Sequence, residues 1–413
     1  MKKRIWLVNQ YAMPPHLESR LRTIKFAQYL TSAGYDVTIF ASSIMHNMDI
    51  NLIEDGRLFI ERQYGDLKFV HINTMPYRKN GLARIIGLFQ FSFRLRRVVN
   101  KFPKPDVIVH TAMVPFSNPI YFVAKRLNAK HIVEVLDLWP ETFVNLGIMR
   151  RSNPIMWFLY KAERWLYVRA DELVFSMEGG AQYLHERGWT RDEGGIIDLS
   201  HVHYINNGVD ISDFDSYFEQ YKLDDPDLTD SSIKRIIYLG SIRKANHLQH
   251  LIDAAELLKQ RSDIKFLIYG DGDEREDLVA YCKNHHLDNV IFKDKWIDPK
   301  FVPYVLSCAT VNILNYLQGS FASYGGSQSK LFQYMASGRP ICCNLKMMFC
   351  PITKNNLGIA REFTSPKEYA DAILSLVNMD TTVRQEMCNR VRSTAYEYDY
   401  KALTNHLIRL IED

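Results

Sequence analysis

Residues 233–272 read IKRIIYLGSIRKANHLQHLIDAAELLKQRSDIKFLIYGDG. The stretch opens on a strand candidate at 233–239 that is apolar from Ile236 to Leu239, passes through a helical pattern at 247–261 and closes on a second at 265–269 that is apolar from Phe266 to Tyr269. Short continuous apolar runs fit strands buried on both faces, and a helix between two of them fits a crossover in a parallel sheet. Gly240 and the turn Gly270-Asp271-Gly272 stand where the two strands end. Ligands of such sheets bind beyond the carboxyl ends of the strands, which directs attention to these glycines.

The same alternation extends in both directions. Further strands are expected at 290–292 and 311–314, and in the first half at 4–10, 37–41, 68–72, 106–110 and 131–136. A helical pattern at 19–33 is stopped by Gly34. A chain of 413 residues is too long for one ordinary core. The expected class is therefore α/β, with two Rossmann-like doubly wound domains facing across a cleft. The expected boundaries are a first domain at 1–207, a linker at 208–232 that is poor in aliphatics, and a second domain at 233–395. A last helix at 396–413 is expected to pack back toward the first domain.

Composition narrows the setting. Hydrophobic content of 47% and charged content of 24% suit a globular protein. The start, Met1-Lys2-Lys3-Arg4, has signal-like charge, but the apolar run ends at Asn9, which fits a first strand better than a secretory signal. No apolar segment is long enough to span a bilayer, so a cytoplasmic protein is expected. The six cysteines lack a Cys-x-x-Cys spacing and read as buried free thiols. Net charge is +4, yet residues 1–207 hold 27 Lys and Arg against 19 Asp and Glu. A basic first half points to an anionic partner on that side. Two stretches there, 81–101 and 153–169, interleave aromatic residues with Arg and Lys, which suits the headgroup region of an anionic membrane surface. A core-facing helix with a solvated basic side explains either stretch equally. Nucleic acid is not an expected partner, because no reader motif accompanies the basic residues.

Five segments together resemble the retaining glycosyltransferases of the GT-B fold in the family GT4. They are Val135-Leu136-Asp137-Leu138-Trp139-Pro140-Glu141, Tyr204-Ile205-Asn206-Asn207-Gly208-Val209-Asp210, Tyr238-Leu239-Gly240-Ser241, Ile268-Tyr269-Gly270-Asp271-Gly272, and 329–340, which reads SKLFQYMASGRP. The likeness is greatest to members that build bacterial O-antigen and capsule, of the L-fucosamine transferase type. It implies a nucleotide-sugar donor, UDP-linked, and a glycan acceptor carried on a polyprenyl diphosphate. It also implies a hexosyl- or N-acetylhexosaminyl-type transfer with retention, a peripheral place at the inner face of the plasma membrane, and no cofactor or metal. Two departures stand out. The family usually has two acidic residues eight positions apart at sites that are here Gly325 and Gln333, the second reading the donor ribose. It also tends to have a glycine pair after the first strand, where this chain has Met13 to Arg20 without glycine.

The residues expected to act follow from the chemistry of a leaving diphosphate, which fixed cations and helix N-termini stabilise. Lys330 begins a helix entered through Ser323, Tyr324, Gly325, Gly326 and Ser327, whose serines are expected to cap it. Arg243 and Lys244 follow the strand that ends before Gly240, and either suits a phosphate. Gly240, Gly270 and Gln333 complete the expected donor set. His110, at the end of a strand, is the expected catalytic group of the first domain. Asp137 and Glu141 are expected at the acceptor, with His16 and Arg20 standing in for the missing glycines. Two other readings share the fold class: a sugar-nucleotide 2-epimerase, and a non-catalytic partner in a polysaccharide assembly complex.

Overall fold

The computed structural model describes all residues except 1, 18–20, 47, 78–80, 146 and 318–322. Arg20, expected at the acceptor, lies outside the described residues. The chain divides into two compact units, residues up to Asn206 with Leu403–Asp413, and Asn207–Ala402.

The first unit is built on strands β1 (Arg4–Val8), β2 (Asp36–Ser42), β3 (Phe59–Tyr64), β4 (Leu67–Ile72), β5 (Val107–Thr111), β6 (Lys130–Val135), β7 (Glu172–Phe175) and β8 (Val202–Tyr204). They order as β3-β4-β2-β1-β5-β6-β7-β8, parallel except for the β3–β4 hairpin. In β1, Ile5, Trp6, Leu7 and Val8 are all buried, the unbroken pattern of a strand covered on both faces. From β4 onward every crossover steps the same way across the sheet. Right-handed connections therefore place the helices Leu82–Val98, Ile120–Leu127 and Pro154–Tyr167 on one face. Lys3 Nζ donates to the Ile411 carbonyl at 2.6 Å and Tyr35 Oη to Glu412 Oε1 at 2.6 Å, tying the C-terminal residues to this unit.

The second unit has β9 (Lys234–Leu239), β10 (Ile264–Tyr269), β11 (Val290–Phe292), β12 (Val311–Leu314), β13 (Ile341–Cys343) and β14 (Gly358–Ala360), all parallel in the order β11-β10-β9-β12-β13-β14. The direction of winding reverses between β9 and β12, and that switch point is where such sheets bind ligands. Successive residues feed opposite faces: Ile237 and Leu267 pack in one core, Ile236 and Phe266 in the other.

Strands β3, β7, β8, β13 and β14 extend the sheets beyond those the spacing predicts. Three of them are only three residues long, and β3 exposes Glu61, Arg62 and Gln63. The expected linker is corrected as well. Residues from Asn207 onward fold into the second unit, where Ile211, Phe214 and Leu228 join its core. The Asp-rich composition reflects capping instead: Asp210 and Asp225 cap the helices Ile211–Gln220 and Pro226–Thr229.

The first unit buries three histidines. His110 and His131 lie flat against each other, with His110 Nδ1 3.2 Å from His131 Nε2. Burial holds His110 well below the usual histidine range, and takes His131 and His71 down to about 4. The unfolded chain binds protons at these rings from about pH 6.5 downward, whereas the folded unit does not until about pH 4. Stability therefore falls with pH across that window, by about 2–3 kcal/mol at pH 4.5 for His131 alone. Urea melts from pH 7 to 4.5 should show this loss, and His131→Asn should reduce its slope. A flat profile in the wild type would mean the rings are already charged when folded.

Candidate functional site

The carboxyl edge of the second sheet brings Lys330, Gly240 and Gly270 together. Lys330 sits in the first turn of the helix Ser329–Ala336, which follows β12, and its ammonium reaches back over the end of β9. Nζ stands 3.4 Å from Tyr238 Oη and 5.1 Å from that ring's centroid. A Cβ placed on Gly240 would fall 1.9 Å from Nζ, so only glycine leaves room for the ammonium. Among the described residues no carboxylate pairs with Lys330. Desolvation alone lowers its pKa to about 8. Lys330 is half-buried, and an ammonium enclosed this way without a charged partner is costly unless an anion completes it.

The surrounding loops are braced. The carbonyls of Asn246 and His247 accept from Asn315 Nδ2 at 2.7 and 2.8 Å, and Tyr369 Oη holds Asn315 Oδ1 at 2.8 Å. Arg243 and Lys244 stand on this braced loop, both exposed, and no ion pair engages either one among the described residues. The expected serine cap is not formed. Gln328 is the N-cap and makes no side-chain cap, while Ser327 instead receives Asn207, N to Oγ at 3.2 Å and Nδ2 to the carbonyl at 2.8 Å. Gln328 lies against Gly326, with its Oε1 buried and lacking a hydrogen-bond partner among the described residues. Gly325 has φ +87, Tyr324 is buried and Ser323 is exposed. Gln333, three residues after Lys330 and so on the same helix face, is half-buried, and its amide has no hydrogen-bond partner among the described residues. Asn315, Tyr238 and Gln328 were not expected here; an asparagine just past a buried strand was the available signal for the first.

In the first unit the expected set separates. His110 is corrected from a site residue to a core residue: the strand runs on to Thr111, and the ring is fully buried against His131. Glu141 is likewise corrected. It is completely buried and accepts from Tyr160 Oη at 2.6 Å, Arg187 Nη2 at 2.6 Å and Arg151. Neighbouring Glu163 is also fully buried, and desolvation pushes it up to about 7 although Tyr183 Oη donates to it at 2.7 Å. His16 is exposed, with its ring tilted 5.8 Å from that of Tyr64, where β3 turns into β4, at the amino end of the parallel strands. It is corrected to the side opposite the carboxyl edge. Glu134 is engaged by Arg22 Nε at 2.8 Å and Thr111 Oγ1 at 2.9 Å. Asp137 differs: it is solvent-exposed, has no hydrogen-bond partner among the described residues, and yet is surrounded closely enough by protein that desolvation raises its pKa. It remains available to a ligand. Among the described residues no group of three or more His, Cys, Asp or Glu could hold a metal ion.

Two families of known proteins match this chain. The one described as Glycosyl transferase 4-like domain matches residues 21–197, and the one described as Glycosyl transferases group 1 matches residues 233–379. The chain belongs to the GT4-type glycosyltransferase family. A Pseudomonas aeruginosa protein described as probable glycosyltransferase WbjE is 22% identical over 281 residues, which span 66% of this chain and 65% of that protein. Among solved structures, sucrose-phosphate synthase from Thermosynechococcus elongatus superposes with a TM-score of 0.71 at 14% identity, covering 100% of this chain and 98% of that one. The Escherichia coli trehalose-6-phosphate protein bound with UDP-2-fluoro glucose gives 0.70 at 12%, covering 99% of each chain. Anabaena HepE in complex with UDP and glucose gives 0.63 at 13%, covering 99% of each. The fold is GT-B, with two Rossmann-like α/β domains built on parallel sheets.

Lys330 gives this GT4-type chain a two-sided prediction. Lys330→Met removes an unpaired buried charge, so the unliganded second unit should become more stable at pH 7. UDP should bind about 1–3 kcal/mol more weakly, the range for a charge-assisted hydrogen bond. The ammonium of the free protein is lost as pH rises through about 8, so wild-type affinity should fall above that pH, with proton uptake on binding. Calorimetry in buffers of different ionisation heat reads both effects. Unchanged affinity and no proton uptake in the wild type would remove Lys330 from the site.

Proposed function

We propose that the chain transfers a hexosyl or N-acetylhexosaminyl group from a UDP-sugar to a polyprenyl-diphosphate-linked glycan, with retention, in bacterial surface polysaccharide synthesis. The observation that carries the donor half is the unpaired Lys330 ammonium at the switch point of the second sheet. The leaving diphosphate develops charge as the sugar C1–O bond breaks, and Lys330 with Arg243 or Lys244 stabilises it. The acceptor hydroxyl attacks C1 on the same face and gives its proton to the departing phosphate oxygen, so the scheme needs no side-chain base. Gln333 meets the ribose with a neutral amide in place of a carboxylate. Asp137, whose carboxylate has no hydrogen-bond partner among the described residues, orients the acceptor. The relatives named above support a UDP donor by what their own structures hold: UDP-2-fluoro glucose in one, UDP and glucose in another.

A thermal-shift series with nucleotide sugars tests the donor, since a ligand of the native state raises its stability. UDP-sugars should raise the melting temperature most, and UDP release should then depend on an added acceptor. Interconversion of the sugar nucleotide without acceptor would identify an epimerase instead. Absence of any nucleotide-sugar binding would favour a non-catalytic assembly partner.

The reading includes docking of the first unit on anionic membrane. No described helix is long and apolar enough to cross a bilayer. The face formed by the three co-facial helices exposes Leu82, Ile85, Phe93, Phe122, Trp157 and Phe158 beside Arg96, Arg97 and Lys161. Lys161 Nζ sits 3.7 Å over the Trp157 ring, the pairing of charge and aromatic that suits headgroups. Co-sedimentation with vesicles containing anionic lipid should be strong at low salt and weak at high salt. Equal and negligible pelleting in both would withdraw the membrane.

A further inference from the structure

Two buried carboxyls of the first unit share one enclosed cation, and the proposed reaction uses neither. Glu163, on the helix Pro154–Tyr167, and Glu141, on the helix Trp139–Asn145, are both fully buried. Arg187, at the end of the helix Gly180–Glu186, carries the charge that acts on both. Its side chain is 19% exposed. Nη2 donates to Glu141 Oε2 at 2.6 Å, and the guanidinium lies 3.5 Å from the Tyr160 ring and 5.2 Å from the Tyr183 ring. Arg151, the other cation at Glu141, is 60% exposed, so water screens it. The enclosed count is one guanidinium against two carboxyls, enough to balance only one of them.

Geometry selects which. Glu141 accepts from Tyr160, Arg187 and Arg151. Glu163 Oε2 accepts from Tyr183 Oη at 2.7 Å, and the Tyr167 hydroxyl also faces this carboxyl. Its Oε1, however, is buried with no hydrogen-bond partner among the described residues. An anionic oxygen left bare in a core costs far more than the same oxygen in a neutral acid. Glu163 is therefore the carboxyl that keeps a proton. Desolvation, the largest influence, and the charge of Glu141 hold the proton on, raising Glu163 to about 7, while Tyr183, Tyr167 and Arg187 favour its release. The cluster also seats a segment at the carboxyl edge. Pro140 and Glu141 are the buried residues of the helix Trp139–Asn145, and Asp137 stands two residues before that helix.

We propose that Glu163 is a positioning residue that works through its proton. Protonated, it leaves Arg187 to Glu141, and the Asp137 segment is held; once the O–H proton passes to solvent, the new carboxylate competes for Arg187 and the segment loosens. The latch itself needs no substrate. Its consequence for the reaction, firmer holding of the acceptor below the transition than above it, rests on the reading that Asp137 orients the acceptor.

Infrared difference spectra of the whole chain, wild type against Glu163→Gln, read the carboxyl directly. At about pH 6 the wild type should show the carbonyl stretch of a protonated acid, replaced by carboxylate bands at about pH 8.5. Fluorotryptophan labelling reads the segment, with the Trp139 resonance assigned by its loss in Trp139→Phe. That resonance should move with the infrared midpoint in the wild type and stay at its low-pH position in Glu163→Gln. Asp137 titrates equally in both proteins, so the comparison removes its effect. Tyr183→Phe deletes a donor to the ionised form and should raise both midpoints by about one pH unit, the size of one charge-assisted hydrogen bond. Urea melts check the fold and the sign. The folded acid keeps its proton where the unfolded one has lost it, so wild-type stability relative to Glu163→Gln should fall from about pH 4.5 to about 7 and then level. The histidines are common to both proteins and cancel. No acid band at about pH 6, or one that persists unchanged at about pH 8.5, would overturn the latch. So would a Trp139 resonance that ignores the infrared midpoint, or one that moves equally in Glu163→Gln. None of these readouts uses a nucleotide sugar or an acceptor, so failure here leaves the proposed function standing, and failure of that function leaves the latch standing.

Discussion

Gly270→Ala is expected to cost the second unit more than about 4 kcal/mol, the far end of single-substitution effects. Gly270 ends β10 with φ +128, a backbone conformation that side chains rarely adopt. An added Cβ would fall 1.9 Å from the Gly240 carbonyl oxygen. That atom belongs to the backbone at the end of β9, which the hydrogen bond from Gly240 N to the Tyr269 carbonyl at 3.0 Å holds in place. Neither side can give without parting the two strands. Gly240→Ala makes the informative contrast. Its Cβ would meet Lys330 Nζ at 1.9 Å and Cε at 2.4 Å, the far end of a flexible side chain. Gly240 itself has φ +153, so alanine there also carries backbone strain. With no backbone atom in the way, the fold should survive at a smaller cost, and the ammonium should be driven from its place, with about tenfold weaker UDP binding. Hydrogen exchange across β9 and β10, together with UDP calorimetry, separates the two outcomes. Wild-type protection in Gly270→Ala would mean that the strand ends do not approach as closely as described.

Glu141→Ala should destabilise the first unit by about 3–5 kcal/mol, the usual cost of leaving a buried charge without its partner. The carboxylate is fully buried, and Arg187, which it holds, is itself enclosed by the Tyr160 ring at 3.5 Å and the Tyr183 ring at 5.2 Å. Removing Glu141 therefore strands Arg187 beside the neighbouring aromatic rings. Glu141→Gln should fall between, because an amide oxygen still accepts from Tyr160 or one arginine. UDP binding, which the proposed function assigns to the second unit, should not change in either variant. If Glu141→Ala instead melts like the wild type and only the acceptor KM rises, Glu141 belongs at the acceptor after all.

The two sheets were legible because parallel strands covered on both faces appear as unbroken apolar runs, as at Ile5 to Val8 and Phe266 to Tyr269. The short outer strands β8, β13 and β14 were not legible, since three residues cannot establish a period. The segment 329–340 by itself placed Lys330 on a helix after β12. The burial that makes this lysine matter was hidden, because it depends on Gly240 lacking a side chain 90 positions earlier. The same limit misplaced the first-unit residues. A histidine near a strand end and a glutamate after a strand read alike whether they face solvent or the core. His131, 21 residues from His110, and Arg187, 46 residues from Glu141, decide which. The residue order thus determined the strand–helix alternation, the family motifs and the loops that lie at the carboxyl edges, because local periodicity and glycine positions are properties of the chain itself. Only the tertiary structure decided which polar groups are already satisfied by distant partners and which, like the Lys330 ammonium and the Asp137 carboxylate, meet no charged partner among the described residues, because solvation and pairing depend on neighbours brought from elsewhere in the chain.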